Sequence, residues 1–152
     1  VAVVGSPIVG SSLNLLLKLA GRRQLASLAY NSPALLRFGV KAFSPFIVKK
    51  NPYEWYRMQE RDLSKTTMES FFASIGSLHR TDLRPQLNEI TIPTLGIYGI
   101  GDTIVSPKQY MPLKHGVAHA QIELMKGSRH FPMLDEPDAF NKVLKDFLDS
   151  RS

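Results

Sequence analysis

Two side chains in this sequence are placed to do acid–base chemistry, Asp102 and His130. Each follows a strongly β-prone run. Thr94-Leu95-Gly96-Ile97-Tyr98-Gly99 ends in Gly99-Ile100-Gly101-Asp102, and Gln121-Ile122-Glu123-Leu124-Met125 ends in Gly127-Ser128-Arg129-His130. An apolar run that stops at glycine-containing turn residues, with a reactive side chain directly after it, is the arrangement expected at the carboxyl edge of a parallel sheet. Neighbouring strand ends then bring carboxylate and imidazole face to face. A carboxylate that accepts a hydrogen bond from one ring nitrogen fixes the tautomer and leaves the other nitrogen as a base. Such a base raises the rate at which a hydroxyl attacks an ester by about 10²- to 10⁴-fold.

The segments that must hold these residues are Ile92-Pro93-Thr94 before the first strand, Gly99-Ile100-Gly101-Asp102-Thr103-Ile104-Val105-Ser106-Pro107 after it, and Ser128-Arg129-His130-Phe131-Pro132-Met133-Leu134-Asp135-Glu136-Pro137. Together they resemble the acid and histidine segments of the α/β-hydrolases, in that family's order and separation. Taken singly, a Gly-x-Gly-Asp is a common turn and a lone histidine is more often structural. Their joint occurrence after two strands is what points to a triad's acid and base. The resemblance implies an α/β fold: part of the α/β-hydrolase fold, about three parallel strands with flanking helices and a helical lid insertion. Residues 1–11 and 86–152 then form the core and 12–85 the lid. It also implies a hydrolase acting on an ester or related carboxylic substrate through Ser-His-Asp chemistry, with Asp102 and His130 as catalytic residues. Dehalogenase and peroxidase-like members share these motifs, so the fold does not choose the substrate.

That family's nucleophile sits in Gly-x-Ser-x-Gly, before the acid and the histidine. No such pentapeptide occurs in the sequence. Ser6, after Val1-Ala2-Val3-Val4-Gly5, is the nearest candidate, but the second glycine is missing and Pro7 fixes a φ unlike that of a tight elbow. In the resembled family this strand more often follows the nucleophile, so the resemblance implies a chain that begins in mid-fold and holds a carboxyl-terminal half. The alternative is a non-catalytic binding or assembly module that keeps this half of the fold.

Composition narrows the function classes. The 152 residues, 43% hydrophobic, suffice for one domain with a sizeable core. There is no cysteine, which excludes disulfides and thiolate metal sites and leaves the compartment open; the cytoplasm is the working expectation. No signal peptide or apolar run of membrane-spanning length is present, so no stable membrane insertion is expected. Lys and Arg outnumber Asp and Glu by 11 to 4 in residues 1–80, against 8 to 9 in residues 81–152. A basic amino-terminal half is read as the solvated face of lid helices, not as a nucleic-acid site. Gly5 to Ser12 has the glycine spacing of a phosphate loop, but Ser11 stands where its lysine belongs, which removes a nucleotide cofactor. His115 and His119 have helical ligand spacing without a third ligand, so neither metal nor cofactor is expected.

Taken in order, Val1 to Gly5 reads as a strand buried on both faces. Ser12 is a plausible cap for a helix over 13–20 stopped by Gly21; further helices are expected over 24–30 and 34–43, the last closed by Ser44-Pro45. Tyr53, Trp55 and Tyr56 form the most aromatic cluster, and Trp55 and Tyr56 are the candidate substrate-binding residues. Residues 66–79 repeat apolar side chains at helical steps, and His79 in the last turn suits a helix carboxyl end. Asp82 is read as a turn or cap residue. A helix starts at Ser106-Pro107, and 137–150 forms an amphipathic helix with Phe140, Val143, Leu144, Phe147 and Leu148 on one side. Val1 to Gly5 at a sheet edge predicts a homodimer, or a partner chain, joined through that strand.

Overall fold

In the computed structural model the described residues are 1–13 and 32–150. Three parallel strands form one sheet in the order β1 (Ala2–Val4), β2 (Thr94–Gly99), β3 (Ala120–Met125). Val3 faces Gly96 across the first pair, and Gly96 faces Ile122 across the second. All six residues of β2 are buried, as a central strand of a sheet covered on both faces requires. Strand β3 alternates, with Gln121 and Glu123 exposed. The strand at the amino end is less buried than its apolar run suggests: Ala2 is exposed and Val3 and Val4 are half-buried, because among the described residues β1 has a neighbour on one side only.

Alternation along β2 divides the core. Tyr98 points into a cluster with Ile8, Leu87, Leu113 and Val117, whereas Leu95 and Ile97 point to the other face, against Met125, Phe140 and Phe147. Helix α4 (Tyr110–Gly116) covers the first face and α6 (Pro137–Asp149), which follows the short α5 (Pro132–Asp135), the second. Leu148 departs from the expected apolar side of α6 and is 56% exposed, because the step from Phe147 turns it away from the sheet.

Residues 33–80 carry three helices: α1 (Pro33–Ile47), α2 (Pro52–Leu63) and α3 (Met68–Arg80). Prolines at the first positions of α1 and α2 are preorganised for helix, and the Thr67 hydroxyl accepts the Ser70 N–H at the start of α3. Helix α1 passes through Ser44-Pro45 instead of ending there. Pro45 has no N–H for the carbonyl of Lys41, and the Ser44 hydroxyl donates to that oxygen at 2.8 Å in its place. The helices expected over 13–20 and 24–30 lie outside the described residues, except that Leu13 is extended and bridges Val105. Ser12, expected to cap that first helix, instead closes a 3₁₀ turn over Gly10–Ser12.

Candidate active site

Beyond the carboxyl ends of β2 and β3 two loops are laced together by backbone hydrogen bonds. Ile100 N–H donates to Met125 O and Gly101 N–H to Ser128 O, both at 3.0 Å. The approach is so close that a side chain at Gly99 would overlap the Arg129 carbonyl, so only glycine fits the strand end.

The lacing brings Asp102 and His130 together. His130 Nδ1 lies 2.8 Å from Asp102 Oδ2, and since a carboxylate only accepts, the pair selects the tautomer protonated on Nδ1. The other oxygen, Oδ1, accepts Ile104 N–H at 2.7 Å and Val105 N–H at 3.0 Å, which fixes the carboxylate plane. The Asp102 side chain is 2% exposed and that of His130 21%, so the acid is withdrawn from solvent while the imidazole reaches it. On the β1 side lies Gly5, at φ +54, where a β-carbon would sit 3.4 Å from His130 Nδ1.

Four further residues lie around this arrangement, and the sequence reading did not single them out. Glu136 Oε2 accepts the Ser128 hydroxyl at 2.6 Å and Gly127 N–H at 3.0 Å. Asp135, fully buried, accepts Arg129 N–H at 2.8 Å and the N–H groups of Lys49 and Lys50 at 2.7 Å. Phe131 meets the His130 ring edge-on at 5.0 Å between centroids. Gln109 Oε1 accepts Ile8 and Val9 N–H, tying the exit from β1 to the start of α4. The available signal was the pair of carboxylates directly before Pro137.

Trp55 is buried and lies 6.2 Å from Phe131, so it reaches His130 through one intervening ring. The Tyr56 hydroxyl lies 3.3 Å from Glu60 on its own helix. Asp82 accepts the Arg84 N–H and pairs with the guanidinium, which holds its carboxyl below the usual range; it is a turn residue, as expected. His79 Nδ1 lies 3.3 Å from Gly10 O, apart from this site. Ser6 donates to Val4 O at 3.2 Å.

No protein-family model matches the chain. Among solved structures, a meta-cleavage product hydrolase from Pseudomonas fluorescens superposes with a TM-score of 0.73 at 15% identity, over 99% of this chain and 56% of that one. An esterase from Exiguobacterium antarcticum gives 0.69 at 20% identity, over 83% and 47%. At such identities the likeness speaks to the fold, and that suffices here. The chain has part of an α/β-hydrolase fold.

Curated relatives extend the likeness to sequence. A 3-oxoadipate enol-lactonase of Acinetobacter baylyi is 27% identical over 124 residues, 82% of this chain and 46% of the relative. A pimeloyl-(acyl-carrier protein) methyl ester esterase of Yersinia enterocolitica is 37% identical over 70 residues, 46% of this chain and 27% of the relative. The chain thus spans less than half the length of these relatives.

Proposed function

We propose that this chain carries the acid and the base of a hydrolase that cleaves esters or related carboxylic derivatives. The observation that carries the reading is the 2.8 Å contact between His130 Nδ1 and Asp102 Oδ2, with the second carboxylate oxygen engaged by two loop N–H groups. Esterases and an enol-lactonase among the relatives support the acyl–oxygen bond as the target. In this reading His130 Nε2 takes the proton of a serine hydroxyl as its oxygen bonds to the substrate carbonyl carbon. The imidazolium, held by Asp102, returns the proton to the departing alcohol, and water repeats the cycle on the acyl intermediate. The serine belongs to a Gly-x-Ser-x-Gly turn that residues 1–152 do not contain. The helices of residues 33–80 act as the lid, with Trp55 behind Phe131 and Tyr56 as substrate-side residues.

The absent pentapeptide favours one other reading, a non-catalytic binding or assembly module. Two proteins distinguish them: the 152-residue chain, and a fusion that places before Val1 the part of the Acinetobacter enol-lactonase that this chain does not match. Treated with a serine-directed fluorophosphonate and with p-nitrophenyl acetate, the chain alone stays unlabelled, whereas the fusion is labelled and turns over. A fusion that unfolds cooperatively yet is inert and unlabelled overturns the hydrolase reading; labelling of the chain alone moves the nucleophile to Ser6. We further propose that the open edge of β1 pairs with a second copy or a partner chain, which light scattering showing a monomer at micromolar concentration excludes for self-pairing.

A further inference from the structure

The end of α1 and the two loops of the candidate site share one set of hydrogen bonds. Two successive carbonyls at that helix end, Phe46 O and Ile47 O, accept the Thr103 hydroxyl at 2.8 Å and the His130 N–H at 3.1 Å. Thr103 follows the acid, and the second donor is the base's own backbone. Just beyond, Lys49 and Lys50 N–H converge on Asp135 Oδ1, while Asp135 Oδ2 takes the N–H of Arg129, the residue before His130. The circuit closes: α1 end, His130, Arg129, Asp135, Lys49, and back to α1.

We propose that Asp135 is a positioning residue that sets His130 against Asp102 and couples the imidazole to the position of the α1 end. The proposal rests on the hydrolase reading for its catalytic consequence only. The side chain is fully buried and its two oxygens meet three N–H donors, so the site is built for an acceptor at both positions. Glu136, next in sequence, grips the same loop at Ser128 and Gly127, one and two residues further from His130 than Arg129. The two carboxylates therefore divide the work: Glu136 closes the loop on itself, and Asp135 ties it to α1. A displacement of α1 when a substrate enters pulls on Ile47 O and on the Asp135 bridge together, and so reaches the imidazole through two paths.

The test is Asp135→Asn in the full chain, which keeps the shape but turns one acceptor into an NH₂ facing an N–H donor. The readout is the His130 Nδ1–H resonance, identified among the four histidines by its loss in His130→Gln. Asp135→Asn speeds exchange of that proton with solvent by about tenfold or more, whereas Glu136→Gln, which spares the bridge to α1, leaves it near wild type. A folded Asp135→Asn chain with an unchanged resonance and exchange rate overturns the proposal. If that variant does not fold, wild-type amide exchange decides: Lys49, Lys50 and Arg129 N–H exchanging together and slowly supports the bridge, and exchange at the rate of exposed amides overturns it. An inert but folded fusion with the resonance response intact strikes the hydrolase reading alone and leaves the bridge standing.

Discussion

Gly99 at the end of β2 and Arg129 in the loop after β3 lie so close that the first has no room for a β-carbon against the carbonyl of the second. The crowded atom is backbone, which cannot swing aside as a side chain can. Gly99→Ala therefore has to part the two loops, breaking the bonds from Ile100 to Met125 and from Gly101 to Ser128. The expected cost is about 1–3 kcal/mol, measured from the urea midpoint, together with loss of the His130 Nδ1–H resonance. A stable Gly99→Ala chain with that resonance intact means the loops are not held by this contact.

Helix α1 offers a coupled pair. With Ser44 replaced by alanine, Lys41 O has no donor from residue 45, since Pro45 carries no N–H. Ser44→Ala is expected to cost on the order of 1 kcal/mol, the scale of a lost hydrogen bond. In a Pro45→Ala background the backbone N–H is restored, and the same substitution costs less than half as much. Equal costs in both backgrounds, read from thermal unfolding, disprove the substitution of hydroxyl for amide.

That pair also shows where sequence reading stops. Ser44-Pro45 reads as a helix end because proline removes a donor, and nothing local says that the preceding hydroxyl replaces it. The central strand was legible because Leu95, Ile97 and Tyr98 leave no polar residue to face water, and the acid and histidine because each follows its strand within a few residues. Asp135 was not legible for the opposite reason. Its partners Lys49 and Lys50 are more than eighty residues away along the chain, and only the three-dimensional path of α1 brings their N–H groups to it. Leu148 illustrates a smaller error: one residue past Phe147 rotates the side chain off the buried face, which a count of apolar residues does not register.

Tyr98 supplies a pH dependence. Burial pushes its phenol up to about 12 from the ordinary 10.0, and its hydroxyl has no hydrogen-bond partner among the described residues. A raised folded pKa means that the native state keeps its proton where the unfolded chain releases it, so stability is full below pH about 10 and is lost as pH rises toward 12. Spectrophotometric titration should show one of the five tyrosines ionising late and in step with unfolding, apart from Tyr56, whose phenol is raised as well by desolvation and by Glu60. Tyr98→Phe removes that late step and, by deleting an unsatisfied buried hydroxyl, raises stability at neutral pH by on the order of 1 kcal/mol. A late tyrosine that persists in Tyr98→Phe assigns it elsewhere.

The two oxygens of Asp102 have different partners, and Asp102→Asn separates their roles. Ile104 and Val105 N–H both require an acceptor, so the amide oxygen of asparagine stays with them and its NH₂ turns toward His130 Nδ1. A donor at that position needs a lone pair on Nδ1, which places the ring proton on Nε2. The nitrogen that should receive the nucleophile's proton then already holds one. The loop keeps its fold, and the expected loss is in the chemical step: a fall in kcat of about 10⁴-fold in the active fusion, with KM little changed, as for the same exchange in a serine-protease triad. Ring ¹⁵N shifts check the cause independently of rate, since Nδ1 should change from the protonated to the unprotonated range at neutral pH. A variant that keeps Nδ1 protonated and loses little kcat shows that Asp102 does not set the tautomer of His130.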